Sequence, residues 1–276
     1  MKTLTKYLNE KLVINKYYKN SYTYAPASFD ELRDIIEDRY DKLGAGTKTN
    51  PIDFNDVDVS NIDSFYDNDI NIGIFERTKF EYIDISDWDV SNAKDMVGMF
   101  HKCKQLKSVG DISYWNVSKV EGMSIMFYSC EQLQYVGDLS KWNVSRVKNM
   151  YYMFYDCKQL NSVGDLSKWN VSKVENMSNM FHGCTQLKSI GDLSDWDVSK
   201  VETMSSMFRR CEQLTSVGNL THWNVSKVED MSSMFQGCKH LKSVGDLSNW
   251  DVSRVRFMSD AFNKSGITNI PDWHYR

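Results

Sequence analysis

Proline is almost missing from this 276-residue chain, with three in all, which excludes a proline-rich disordered linker. No apolar run reaches the length of a membrane span. The opening MKTLTKYLNEKLVINKYYKN has neither an apolar stretch of signal-peptide length nor a small-residue cleavage site, so a soluble protein not secreted by the common route is expected. A strong charge of one sign is lacking too: the formal net charge is −4, which gives no pull towards nucleic acid or an anionic membrane. No C-x-x-C occurs and no two cysteines are closer than 27 residues, so no zinc site is expected. The five histidines, His101, His182, His222, His240 and His274, show no metal or triad spacing and read as surface or stack positions. No cofactor is expected.

What the chain has is a beat. Trp88, Trp115, Trp142, Trp169, Trp196, Trp223 and Trp250 recur every 27 residues, and Cys103, Cys130, Cys157, Cys184, Cys211 and Cys238 keep the same interval. A fixed period over most of a chain means stacked units, each burying its apolar side against its neighbours. Stacked cysteines would lie within disulfide range, but their side chains would point the same way, which is poor geometry for a bridge, so they read as reduced core residues.

In the unit Trp223–Asn249 (WNVSKVEDMSSMFQGCKHLKSVGDLSN), apolar residues fall about every three positions. Ser226 followed by Glu229 makes a capping-box signal, repeated at Ser118/Glu121, Ser172/Glu175 and Ser199/Glu202. Val228, Met231, Phe235 and Cys238 then suggest a short helix over roughly 227–236. LKSVGDLSN suits a short strand. Gly110, Gly137, Gly164, Gly191, Gly218 and Gly245 imply positive φ or close approach between coils. One short parallel strand and one short helix per repeat gives an α/β solenoid as the expected fold class.

The run M-F-x-x-C-x-x-L-x-S-V-G-D-L-S-x-W-x-V-S-x-V-x-x-M resembles the BspA-like leucine-rich repeats of gut bacteria and their phages, over Val57 to about Trp273. The lead-in SFDELRDIIEDRY and IDFNDVDVSNIDSF is similar to the N-terminal region of such proteins. The resemblance implies a right-handed leucine-rich-repeat solenoid, no catalysis, and adhesion or protein recognition. With no signal peptide at the start, it implies a cytoplasmic or virion-associated place, and a structural virion protein is the alternative to a recognition module.

The chain divides into an N-terminal helical capping region (1–50), a degenerate first repeat (51–87), six regular repeats (88–249) and a C-terminal capping repeat (250–276). In the first region Leu4, Leu8 and Leu12 share a helical face, and Ser28 with Glu31 caps a second helix running to about Leu43 before Gly44. In the last repeat Ala261, Ser265 and Pro271 replace methionine, cysteine and glycine.

A catalytic site needs a unique constellation, and here nearly every polar position is repeated. The ladder Ser91, Ser118, Ser145, Ser172, Ser199, Ser226 and Ser253 reads as helix caps. Asp111, Asp138, Asp165, Asp192 and Asp246, interrupted by Asn219, read as turn caps. A basic stripe, Lys119, Arg146, Lys173, Lys200, Lys227 and Arg254, offers a contact for an acidic surface, or is a solvated face. The most informative departure is aromatic: Tyr114, Ile125, Tyr128, Tyr135, Tyr151, Tyr152 and Tyr155 stand where other units place small or polar residues. Tyrosine at exposed positions is typical of interface hot spots, so a protein partner is expected here.

Overall fold

The computed structural model describes residues 22–275. The helical face Leu4/Leu8/Leu12 lies outside them. Helix α1 is Phe29–Leu43. Ser28 caps it, its hydroxyl accepting from the Glu31 N–H at 3.2 Å. The Glu31 carboxylate reaches back to the amide of Ala27 at 2.8 Å, one residue earlier than a regular capping box. Gly44, at φ 76°, ends the helix. Leu32 and Ile36 are its buried residues, and Tyr40 meets Phe80 edge-on with centroids 5.2 Å apart. Two strand pairs follow: β1 (Ile52–Asp53) runs parallel to β4 (Ile83–Asp84), and β2 (Tyr66–Asp67) antiparallel to β3 (Ile72–Gly73).

Beyond β4 the chain is a stack of coils, and the expected helix in each repeat does not form. Over Met204–Cys211 the amides of Met204, Ser206, Phe208 and Arg210 donate to Asp230, Ser232, Met234 and Gln236 of the next coil at 2.7–3.0 Å. The amides between them close three-residue turns: Met207 on Met204, Arg209 on Ser206, Cys211 on Phe208. An α-helix would send every amide back four residues and leave nothing for the neighbour. Left-handed residues at Ser206 (φ 54°) and Arg210 (φ 60°) forbid it, and the same two phases are left-handed at Tyr152/Asp156, Asn179/Gly183 and Ser233/Gly237. The spacing carries the cue: Val225, Val228, Met231 and Met234 are three apart, a period of turns rather than of 3.6.

The parallel pairing also lies elsewhere than expected. A line of single-residue bridges joins Asp95, Gly122, Asn149, Asn176, Thr203, Asp230 and Phe257, inside the segment expected to be helix. The segment expected to be a strand is extended but forms bridges only at Tyr82, Ser108 and Tyr135. It ends in short 3-10 turns at Leu139–Lys141, Leu166–Lys168 and Leu220–His222.

The serine ladder is not a set of helix caps. Each serine amide donates to the side-chain oxygen two residues earlier, as Ser226 does to Asn224 at 3.2 Å and Ser199 to Asp197 at 3.1 Å. These are Asx turns, which compete with helix initiation for the same backbone groups. The aspartate ladder caps turns as expected, with Asp138 accepting from Ser140 and Asp165 from Ser167.

One core runs through the stack as columns of like residues. Phenylalanines from Phe75 to Phe262 stack with centroids 5.0–6.0 Å apart. Tryptophans lie offset, at 6.1–6.5 Å between neighbouring rings. Each buried indole N–H has an acceptor in the preceding coil, as Trp169 has in the Leu139 carbonyl at 2.9 Å. Each cysteine thiol likewise donates to a phenylalanine carbonyl, as Cys157 does to Phe127 at 3.1 Å. The six cysteines are free and buried. Burial pushes the thiols of Cys103 and Cys238 up to about 12 and the others upward as well.

Gly164 shows why one position must lack a side chain. Its φ is +85°, and a Cβ there would strike the Asp138 carboxylate that caps the turn of the preceding coil. Gly164→Ala is expected to lower unfolding free energy by about 1–3 kcal/mol in a urea titration; an unchanged midpoint would contradict this packing. The six thiols are expected to resist iodoacetamide at pH 8 in the folded protein and to label fully in denaturant, counted by mass; rapid native labelling would contradict the burial.

Candidate recognition surface

Because coils stack at one residue per phase, residues 27 apart stand over one another. This sorts the seven aromatic-cluster residues into two places. Ile125, Tyr128, Tyr151, Tyr152 and Tyr155 come from the turn segment of two consecutive coils. Tyr128 and Tyr155 stack with centroids 4.8 Å apart and planes 7° from parallel. Tyr152 packs against both, at 5.6 and 4.9 Å, and Tyr151 meets Tyr152 edge to face at 4.1 Å. Tyr114 and Tyr135 belong to the other segment of the repeat, Tyr135 at its bridge to Ser108 and Tyr114 in the turn that follows the bridge of the preceding coil. Tyr114 is 76% exposed with the Lys141 ammonium 4.9 Å from its ring centroid. Burial, and then Asp111 and Asp138, raise the Tyr135 hydroxyl pKa.

The tyrosine column extends to residues that no local motif singles out. One coil before Tyr128 stands His101, its ring 5.1 Å from the tyrosine; one coil after Tyr155 stands His182, at 4.6 Å. One coil further comes Arg209, beside Arg210. Steps of 27 back from 128 and forward from 155 find His101, His182 and Arg209. His101 leans on Glu76, 3.0 Å away and 6% exposed, which also accepts from the Gly73 amide. His182 lies 3.0 Å from the Asn179 side-chain oxygen; burial first, then Arg209 and Arg210, push its pKa down to about 4.

Backbone conformation marks the same patch. Ile125 and Tyr152 occupy a left-handed phase, at φ 49° and 57°. Other coils fill that phase with Gly98, Asn179, Ser206, Ser233 and Asp260, among them the glycine, asparagine and aspartate that tolerate it best. A β-branched or aromatic residue there carries strain of about 1–3 kcal/mol.

The six residues of the basic stripe are all exposed. Among the described residues none of them makes an ion pair, and Lys119 donates to Asn92 at 2.7 Å. The adjoining column carries the carboxylates of Glu121, Glu175, Glu202 and Glu229. Lys148 sits 2.7 Å from Glu121 and, with Arg146 and Lys173 close by, holds that carboxyl below its usual range. The stripe is thus bordered by four carboxylates, with Lys148 and Arg256 at the remaining two places of that column.

Among the described residues the chain has small, mixed helix and strand content. The family model described as "Mycoplasma protein of unknown function, DUF285" matches residues 68–190 and, overlapping, 161–273. The chain belongs to this family. Among solved structures it is similar to a leucine-rich repeat protein from Eubacterium ventriosum ATCC 27560, at 16% identity and TM-score 0.40, covering 78% of this chain and 43% of that one. It is also similar to a leucine-rich repeat protein from Bacteroides ovatus ATCC 8483, at 19% identity and TM-score 0.28, covering 64% and 46%. A leucine rich cell surface protein from Faecalibacterium prausnitzii A2-165 aligns at 12% identity and TM-score 0.18, covering 73% and 83%. The chain spans less than half the length of the first two. No curated protein matches it significantly. At these TM-scores the superpositions are partial; the coil-to-coil hydrogen bonds are what define the architecture.

His182 gives the patch a pH signature. Above pH 6.5 the imidazole is neutral whether the chain is folded or not. Below that the unfolded ring takes up a proton while the folded one resists until about pH 4, so stability falls across this interval and then levels. His101 and His274, also lowered, act in the same direction. Melting temperature is expected to drop between pH 6.5 and 4, and less steeply in His182→Gln; identical slopes would remove His182 from the account.

Proposed function

We propose that this protein is a non-enzymatic recognition module, a right-handed solenoid that holds a protein partner on the face built from Ile125, Tyr128, Tyr151, Tyr152 and Tyr155. The observation that carries this reading is the strained phase. A repeat that can take asparagine, serine or glycine at residues 125 and 152 takes isoleucine and tyrosine instead, at a cost to stability. Such costs persist where a surface is used for something other than folding. The tyrosines add large, rigid contact area with few rotatable bonds and a hydroxyl at the tip. The ladders of serine, aspartate and glycine are explained by turns. Tyr114, Tyr135 and the basic stripe, on other faces, are secondary contacts in this reading.

The test replaces one coil's face with that of the next. Tyr151→Ser, Tyr152→Asn and Tyr155→His together install the side chains of Ser178, Asn179 and His182. The triple variant is expected to melt at or above the wild-type temperature, because the strained tyrosine is gone. It is expected to capture its partner from a lysate of the source organism at least about tenfold more weakly. Undiminished capture by a folded triple variant would sink the reading.

A further inference from the structure

One coil past the histidine that ends the aromatic column stand two arginines, Arg209 and Arg210. Among the described residues Arg209 and Arg210 form no ion pair and donate no side-chain hydrogen bond, and the Nε of Arg209 is buried without an acceptor. Several other cations of the turn segments are engaged. Lys104 and Lys158 share Glu131 at 3.3 and 2.7 Å, Lys239 holds Glu212 at 2.8 Å, and Arg77 and His101 lie on Glu76. Asp156, whose charge Arg210 helps to hold, is rooted two coils back with its carboxylate over Gly183 in the coil between, and it makes no ion pair with either arginine. Glycines and serines surround the pair: Gly183 and Gly237 at the phase of Arg210, and Ser206 and Ser233 beside them. The site for a Cβ on Gly237 lies only 3.6 Å from the Arg210 Cα. A buried guanidinium N–H without an acceptor is costly, and a guanidinium is shaped to take a carboxylate in two parallel hydrogen bonds.

We infer that the partner held on this face is an acidic polypeptide segment, with a carboxylate seated on Arg209 and Arg210 and an apolar or aromatic side chain against the tyrosines. This rests on the recognition reading above. Two features favour a peptide over an acidic sugar. Tyr128 and Tyr155 cover each other's ring faces, so the column offers hydroxyl-bearing edges rather than open faces for a sugar ring. The distances also suit an extended chain. Three coil steps separate Tyr128 from Arg209, about 14 Å, which an extended peptide crosses in roughly four to five residues.

The experiment selects random dodecapeptides displayed on phage against the full chain, then measures synthetic versions by fluorescence polarisation. Selected peptides are expected to carry Asp or Glu four or five residues from an aromatic or large aliphatic residue. Arg209→Gln with Arg210→Gln is expected to weaken them about tenfold, with a melting temperature near wild type. Raising salt should weaken binding to the wild type and leave the double variant nearly unaffected. Peptides that need the tyrosines but lack acidic residues, and that bind the double arginine variant normally, would overturn the acidic partner and leave the recognition face standing. Peptides indifferent to the tyrosine triple variant would remove the face and the inference together. Displacement of the peptides by dextran sulfate at concentrations where poly-glutamate fails would overturn it in favour of an anionic polysaccharide.

Discussion

Everything in this fold depends on each coil donating alternate backbone amides to the coil that follows. A segment such as Met204–Cys211 cannot satisfy its own backbone, because every second N–H points along the stack. Pairing between neighbours supplies the missing acceptors, and that fixes the register at one repeat. Once the register is set, like side chains must stand over like, and the columns of tryptophan, phenylalanine and cysteine follow. The columns then serve the backbone in turn: the buried indole and thiol donors satisfy carbonyls of the preceding coil that the turns leave partly free.

This arrangement makes the surface as regular as the core, so a functional feature is visible as a break in a column. The tyrosine patch is such a break. It combines stacked rings, strained backbone at Ile125 and Tyr152, and just beyond it a pair of arginines that make no ion pair among the described residues. The basic stripe is regular, and the carboxylate column beside it offsets its field, so it stands out less than its sequence suggests.

Much of this is legible in the residues themselves. The period names the architecture; Ser28, Glu31 and Gly44 bound α1; the glycine ladder announces positive φ; and the cysteine phase announces buried thiols. The repeat unit misleads where Val228, Met231, Phe235 and Cys238 imitate a helical face and Ser226 with Glu229 imitates its cap. A capping box and an Asx turn use the same residue types, and short apolar spacings of three and four suit a helix locally. The continuous period of three, and the side chains at 224, 197 and 170 that precede each serine by two, are the signals for turns. In the candidate site the tyrosines stand out as unusual residues, whereas His101, His182 and Arg209 are inconspicuous one at a time and gain meaning only by phase.

The sequence alone determined that the chain is a stack and which residues face inward, because a strict period leaves only one way to bury apolar side chains. The tertiary structure decided how each unit is made and which exposed residues share a face. Whether an amide turns back to its own segment or reaches the next coil depends on a neighbour 26 residues away, beyond the reach of local propensity. Which of seven unusual residues meet depends in the same way on coil geometry: five gather beside two histidines and two arginines, and Tyr114 and Tyr135 turn to the other side.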